Sequence, residues 1–288
     1  MTELDLIYKF YGEGDKKDFA IDLLEIVDTN YDEAKVASDH IPHIAMNTHN
    51  RKISSATYNT LTLLSHNSIN RIGENGFPCG VINGAPEQHE HSSRYDIVAT
   101  IISRILDRNH GGLALQEFMP FILTRLFPEI TGDLFQIRTF IRDDNTKVVI
   151  TPLHNGTSFN NGVFAYATKN SNVRTLSASA IIDEWVHNGE NRSKTIGQLV
   201  TIVLHGQRRY KVINLHFDRD RKSALGTIPR IAKLIRDDSL ILEIVGDFNL
   251  PSNLFLREMR KHTDIKLESN YDIPHEFQGV DHSFRVLR

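Results

Sequence analysis

Several stretches of this chain are apolar on consecutive residues where a half-exposed strand would alternate. They include Leu113-Ala114-Leu115, Val148-Val149-Ile150, Val212-Ile213 with Leu215, and Ile241-Leu242 with Ile244-Val245. A strand that is apolar on both sides has to be covered on both sides, so these runs predict sheets enclosed between other layers. Two further segments place apolar residues at helical spacing: Ile97, Val98, Ile101, Ile102, Ile105 and Leu106, then Ile228, Ile231, Leu234 and Ile235. Leu199–His205 and Tyr210–Phe217 are joined by Gly206-Gln207-Arg208-Arg209, which reads as a hairpin. Ile41–Asn47, Leu113–Phe118, Lys147–Thr151 and Gly162–Thr168 read as strands. Helices and strands alternate, but hairpins interrupt the alternation. The expected fold is therefore α/β, a four-layer sandwich of two packed mixed β-sheets with helices on the outer faces.

The chain has 288 residues, enough to bury a large core. Residues 1–40 read as an N-terminal helical extension, in which Phe19, Ile21, Leu23, Leu24, Ile26 and Val27 form an apolar face for packing on the main domain or for a partner protein. Residues 41–288 read as the main domain. Within it, Asn67–Ser93 is rich in Gly, Asn, Pro and His and reads as a long loop. There are 33 basic and 36 acidic residues, a formal charge of −3. Proteins that grip long nucleic acid through many phosphates usually carry a positive excess, so any basic surface here must be local. The single cysteine, Cys79, excludes a disulfide framework within the chain. No run of about 18 apolar residues predicts a membrane span, and Met1–Ala20 lacks a signal-peptide pattern. The cytoplasm is the default placement, with export by a specialised secretion system left open.

The chemistry-bearing residues fall where the apolar runs stop. Met46-Asn47-Thr48-His49, Leu115-Gln116-Glu117-Phe118, Asn214-Leu215-His216-Phe217 and Gly246-Asp247-Phe248-Asn249 each close a strand, and Val280-Asp281-His282 lies near the C-terminus. Neighbouring strands that run the same way bring such ends to one rim. Glu117, Asn47, Asp247, Asn249 and Asp281 form an oxygen-rich set suited to magnesium, which prefers oxygen ligands. His216 and His282 offer proton donors or stabilisers of phosphoryl charge.

The order Asn47, Gln116-Glu117, Asn214-Leu215-His216, Gly246-Asp247-Phe248-Asn249, Asp281-His282 resembles the endonuclease/exonuclease/phosphatase superfamily, to which pancreatic-type DNases belong. The resemblance spans about residues 41–288 and implies a magnesium-dependent hydrolase of phosphate esters, with Mn2+ as a substitute metal. It implies Glu117 as the main metal ligand, with Asn47 helping to order the metal. It implies Asp247 as the residue that orients or deprotonates the attacking water, and Asn214 and Asn249 as substrate-binding amides. His216 would be a catalytic histidine that contacts the phosphate or acts as an acid, and Asp281 and His282 would form the Asp-His pair in which the carboxylate fixes the imidazole that acts on the scissile phosphate. The implied substrate is a phosphate ester, either nucleic acid, cut by a phosphodiesterase, or a phosphoinositide, cut by a phosphatase. A catalytically inactive binding module of the same fold is the third alternative.

The resemblance is imperfect in two places. Family members carry an Ile-Asp-Tyr-like strand after the Gly-Asp-x-Asn motif and then a terminal Ser-Asp-His. Here only Gly279-Val280-Asp281-His282-Ser283-Phe284 follows, 34 residues beyond Asp247. Its spacing matches the earlier motif and its position near the end matches the later one. The terminal reading is preferred because it keeps an imidazole in the site. Many members also have an Arg two residues before the glycine of Asn160-Asn161-Gly162-Val163, where this chain has Asn160. Arg208, Arg209, Arg219, Arg221 and Lys222 flank the Asn-x-His strand and are the candidates to replace it.

Overall fold

The computed structural model describes residues 24–25, 27–30, 34, 40, 42–47, 52–60, 71–72, 78–79, 88–118, 122, 125–126, 138–151, 163–187, 190–218, 220–270 and 281–288. The strands are β1 (His43–Asn47), β2 (Lys52–Asn59), β3 (Arg71–Ile72), β4 (Pro78–Cys79), β5 (Asn109–Phe118), β6 (Arg138–Ile141), β7 (Lys147–Thr151), β8 (Val163–Thr168), β9 (Val173–His187), β10 (Glu190–Leu204), β11 (Arg209–His216), β12 (Ile241–Asp247), β13 (Lys266–Ser269) and β14 (Asp281–Leu287). The helices are α1 (Gln88–Arg108), α2 (Arg221–Asp237) and α3 (Ser252–Met259).

Two six-stranded sheets carry the fold, in the orders β1-β2-β5-β8-β7-β6 and β13-β14-β12-β11-β10-β9. Each is mixed. β2 and β5 are parallel in the first sheet, β11 and β12 are parallel in the second, and the other neighbours are antiparallel. The apolar residues sort into three layers. Val98, Ile101, Ile102 and Ile105 of α1 pack on one face of the first sheet with Ile44, Leu113 and Ile150. Ala114, Val149, Tyr166, Val200, Val212 and Val245 fill the space between the sheets. Ile228, Ile231 and Ile235 of α2 and Phe255 of α3 pack with Ile213, Ile244 and Phe284 on the far face of the second sheet. Helix, sheet, sheet and helix pair therefore form the expected four-layer sandwich, and strands such as β7, buried at every residue, explain the unbroken apolar runs. Leu24, Val27 and Ala34 belong to the first of these layers, so the extension drawn over 1–40, where described, packs onto the domain.

Polar groups also cross between the sheets. Gln116, Asn214 and Gln198 are fully buried. The Gln116 amide donates to Asn214 Oδ1 at 2.6 Å and accepts from Thr57 Oγ1 at 3.1 Å. The Asn214 amide donates to the carbonyls of Leu115 and Ala165 and to Gln198 Oε1, and Gln198 reaches Thr151 Oγ1 and the Val149 carbonyl. A buried amide is tolerated only when its donors and acceptors are matched. This chain of matched amides fixes the relative positions of the ends of β5 and β11.

Candidate active site

Parallel neighbours end on the same side, so the C-terminal ends of β2, β5, β11 and β12 share one rim of the sandwich. The register places Asn59 opposite Gln116 and His216 opposite Asp247. The pairing of β5 with β8 is irregular between Leu115 and Phe118, and Glu117 there adopts a left-handed backbone, φ 48°. A bulge of this kind re-aims one side chain out of the ladder, and a non-glycine residue in that region costs about 1–2 kcal/mol. Thr60 holds the distorted turn by donating its hydroxyl to the Glu117 and Gln116 carbonyls. On the facing sheet, Gly246 has φ 140° and a Cβ there would stand 2.0 Å from the Leu215 carbonyl oxygen, so only glycine lets β12 deliver Asp247 this close to β11. Asn249 is also left-handed, φ 46°, a conformation Asn tolerates better than most residues. Its backbone N–H donates to Asp247 Oδ1 at 2.8 Å, and its side-chain amide donates to the Phe217 carbonyl at 2.8 Å.

At the rim the charged groups converge. His216 Nε2 lies 3.3 Å from Glu117 Oε1 and 3.7 Å from Asp247 Oδ2. The Asn59 amide donates to Asp247 Oδ2 at 2.9 Å and reaches Glu117 Oε1 at 3.5 Å. Asp281 pairs directly opposite Asp247 on neighbouring strands. His40, which precedes β1, places Nδ1 2.7 Å from Asp281 Oδ2 and Nε2 3.8 Å from Asp247 Oδ2. Ligand atoms of His40, Asp247 and Asp281 all lie within 4.8 Å of one another.

Burial of these acids has electrostatic consequences. Asp247 is pushed above the usual carboxylate range by burial and by the neighbouring Asp281 charge, against the pull of His40 and His216. Burial also works against ionisation of Asp281, but the charge and hydrogen bond of His40 outweigh it and hold Asp281 below that range. His43, also buried, is pushed down by burial. Among the described residues, no Lys or Arg pairs with Asp247 or Asp281, and the buried Asp281 Oδ1 has no hydrogen-bond partner. Two facing buried carboxylates with a third acid at the rim make a donor set that fits a divalent cation.

The sequence-derived residues fare differently. Glu117, His216, Asp247, Asn249 and Asp281 come together. Asn47 does not: it pairs with Lys52 at the start of β2. β2 then runs seven residues to Asn59 before it reaches the rim, roughly 23 Å at strand rise. β1 is antiparallel to β2, so its C-terminal end points away, and Asn59 is the asparagine that arrives. Asn214 is a buried strut with its amide matched by protein groups, so it faces the inter-sheet core and no substrate. His282 is the largest correction. Side chains alternate along a strand, and β14 turns Asp281 and Ser283 toward the first sheet, where Ser283 meets Ser55 at 3.3 Å. His282 points the other way, 1% exposed. There Nε2 lies 2.8 Å from the Leu250 carbonyl and the ring sits edge-on to Phe248 at 5.3 Å. The Asp281-His282 motif therefore supplies only its carboxylate, as its spacing from Asp247 had indicated. The imidazole that lies beside Asp281 is that of His40. The sequence around it reads Ser38-Asp39-His40, the tripeptide order expected at the other end of the chain. Arg208 and Arg209 stand at the start of β11, the end opposite His216, so they cannot replace a phosphate-contacting arginine at the rim.

No protein-family model matches the chain, and no curated protein matches it. Among solved structures the likeness is to endonuclease/exonuclease/phosphatase proteins. A member of that family from Bacteroides thetaiotaomicron aligns at 12% identity and TM-score 0.40, over 67% of this chain and 74% of its own. D. rerio TDP2 humanized by 14 mutations aligns at 12% identity and TM-score 0.40, over 69% and 76%. D. rerio TDP2 complexed with a single-strand DNA product aligns at 10% identity and TM-score 0.43, over 69% and 79%.

Proposed function

We propose that this chain is a divalent-cation-dependent hydrolase of phosphate esters, acting on phosphodiesters through water. The observation that supports it most is the meeting of Glu117, Asn59, Asp247 and His216 from four strand ends, with His40 and Asp281 alongside. Glu117, beside the Asn59 amide, is the natural holder of a magnesium or manganese ion, with Asp247 close by. A cation there would neutralise phosphoryl oxygens as charge builds on them. Magnesium prefers oxygen donors, which favours an acid–base rather than a ligand role for His40.

Each side chain has a separable task. Asp247, whose raised proton affinity suits a base, orients the attacking water and takes its proton. Asp281 accepts a hydrogen bond from His40 Nδ1 and fixes the tautomer, and Nε2, 3.8 Å from Asp247 Oδ2, acts on the phosphate or its leaving oxygen. His216 donates to a phosphoryl oxygen. Asn249, anchored through its amide nitrogen to Phe217, leaves its side-chain oxygen to orient substrate.

The test is a panel of bis(p-nitrophenyl) phosphate, plasmid DNA and soluble inositol phosphates, each with magnesium and with EDTA. Diester cleavage that needs magnesium and is lost in Glu117→Ala and Asp247→Ala is expected. Phosphate release from inositol phosphates without diester cleavage would reassign the site to a phosphatase. No turnover on any ester, with metal still bound, would mark a binding module.

A further inference from the structure

The groove beside Asn249 points to a second phosphate. It encloses about 450 Å³ and is lined by Arg221, Asn249, Leu250, Pro251, Asn253, Leu254 and Arg257. It begins at the Gly-Asp-Phe-Asn turn of the catalytic rim and runs between the first residue of α2, Arg221, and the exposed face of α3, which carries Asn253 and Arg257.

Charge in this region is unevenly satisfied. Asp218 is paired with Lys194 at 2.9 Å and held below the carboxylate range, chiefly by that hydrogen bond. Asp220 caps α2 by accepting from the Ser223 N–H. Glu258 is engaged by Lys261 at 2.7 Å, with Arg257 only at 3.6 Å from its other oxygen. The acids next to the groove thus have partners of their own. Arg221 has no carboxylate partner among the described residues, and Arg257, its side chain exposed, has as partner Glu258, whose two oxygens Lys261 already engages. Two guanidinium groups therefore border the groove from two helices, with the apolar Leu250, Pro251 and Leu254 between them.

We infer that this groove is the subsite for the phosphate next to the scissile one, and that the substrate is a polynucleotide strand. The inference rests on the phosphodiesterase reading. Arginine recognises a phosphate through paired N–H donors, and Arg221 lies on the same rim as Asn249, where Arg208 and Arg209 do not. Pro251, the exposed apolar residue of the groove lining, suits the sugar edge that alternates with phosphates along a strand. It also resolves the net charge of −3, because a short strand needs only a local pair of cations.

The test compares the dinucleotide d(TpT) with the same dinucleotide carrying one extra terminal phosphate, at the 5′ or at the 3′ end, in saturating magnesium. The wild-type KM is expected to fall at least roughly tenfold with the added phosphate at one of the two ends, the scale of a charge-assisted contact. That ratio is expected to collapse toward one in Arg221→Ala/Arg257→Ala. A KM that falls less than twofold at both ends, or a fall that persists in the double variant, overturns the subsite while leaving the phosphodiesterase reading intact. If wild type cleaves no dinucleotide, fluorescence anisotropy of labelled oligothymidylate in EDTA decides the inference by itself. Binding weakened about tenfold or more by the double substitution supports the groove, and unchanged binding removes it.

Discussion

Replacing His282 by phenylalanine separates a core residue from a catalytic one. The ring contacts are nearly conserved, because His282 already packs edge-on to Phe248 and tilted against Phe284 at 5.7 Å. What disappears is the 2.8 Å hydrogen bond to the Leu250 carbonyl. Leu250 is 1% exposed, so water cannot easily replace the lost donor. Leaving a buried carbonyl unpaired costs about 1–3 kcal/mol. At roughly 2–4 °C per kcal/mol for a domain of this size, Tm should fall by about 4–8 °C for the central value. The assay pairs a thermal melt with magnesium-dependent turnover measured well below the lower Tm. The expected result is a less stable protein whose turnover stays within about threefold of wild type. A hundredfold loss of turnover with Tm unchanged would refute the assignment of His282 to the core and restore it as the reacting imidazole.

Other consequences follow from buried polar groups. Asn214→Leu leaves Gln116, Gln198 and two strand carbonyls without their partner, so urea unfolding should show a loss of about 2–4 kcal/mol. Activity should fall as well, since the end of β5 that carries Glu117 loses its tie to β11; a fully stable, fully active variant would contradict the strut. Glu243 tests pH linkage at the other end of the sandwich, where its carboxyl accepts from Ser55, from Ser283 at 2.7 Å and from Asn270 at 3.2 Å. Burial pushes this carboxyl up, and those hydrogen bonds only partly offset it. A raised folded-state value means that the contribution is fully present below the unfolded value of about 4.3 and is lost as pH rises through the folded one. Glu243→Gln keeps an acceptor oxygen and cannot ionise, so its stability relative to wild type should rise between pH 4 and pH 8; a gap that narrows or reverses over that range would contradict the reading.

The fold was legible because burial on two faces leaves unbroken apolar runs, and β5, β7, β11 and β12 carry them. β2 was missed for the opposite reason. Ser54, Ser55 and Thr57 make Lys52–Asn59 look polar, yet Ser55 and Thr57 point between the sheets and bond to Glu243 and Gln116. With β2 unread, the only asparagine closing an early strand was Asn47, and Asn59 went unnoticed. The signal was present in the β-branched and aromatic residues of Ile53 to Tyr58 running into Asn59. His282 misled because adjacency in sequence suggests adjacency in space, whereas neighbours on a strand face opposite ways. His40 lay inside what read as an appendage, and only the pairing of β1 beside β2 brings it to Asp281. Ser38-Asp39-His40 precedes every described strand, so its position in the chain gives no sign that His40 stands at the same rim as Asp281. Asn214 shows a last limit: a buried amide bonded to other amides has the same sequence signature as one waiting for a ligand.

The most direct measurement is the turnover of His40→Gln on a phosphodiester in saturating magnesium, with a melt on the same sample. Gln can still reach Asp281 but transfers no proton, so turnover should fall by about 10²–10⁴ while Tm moves by only a few degrees. A variant that hydrolyses the diester within about threefold of wild type would contradict the claim that the segment before β1 supplies the reacting imidazole.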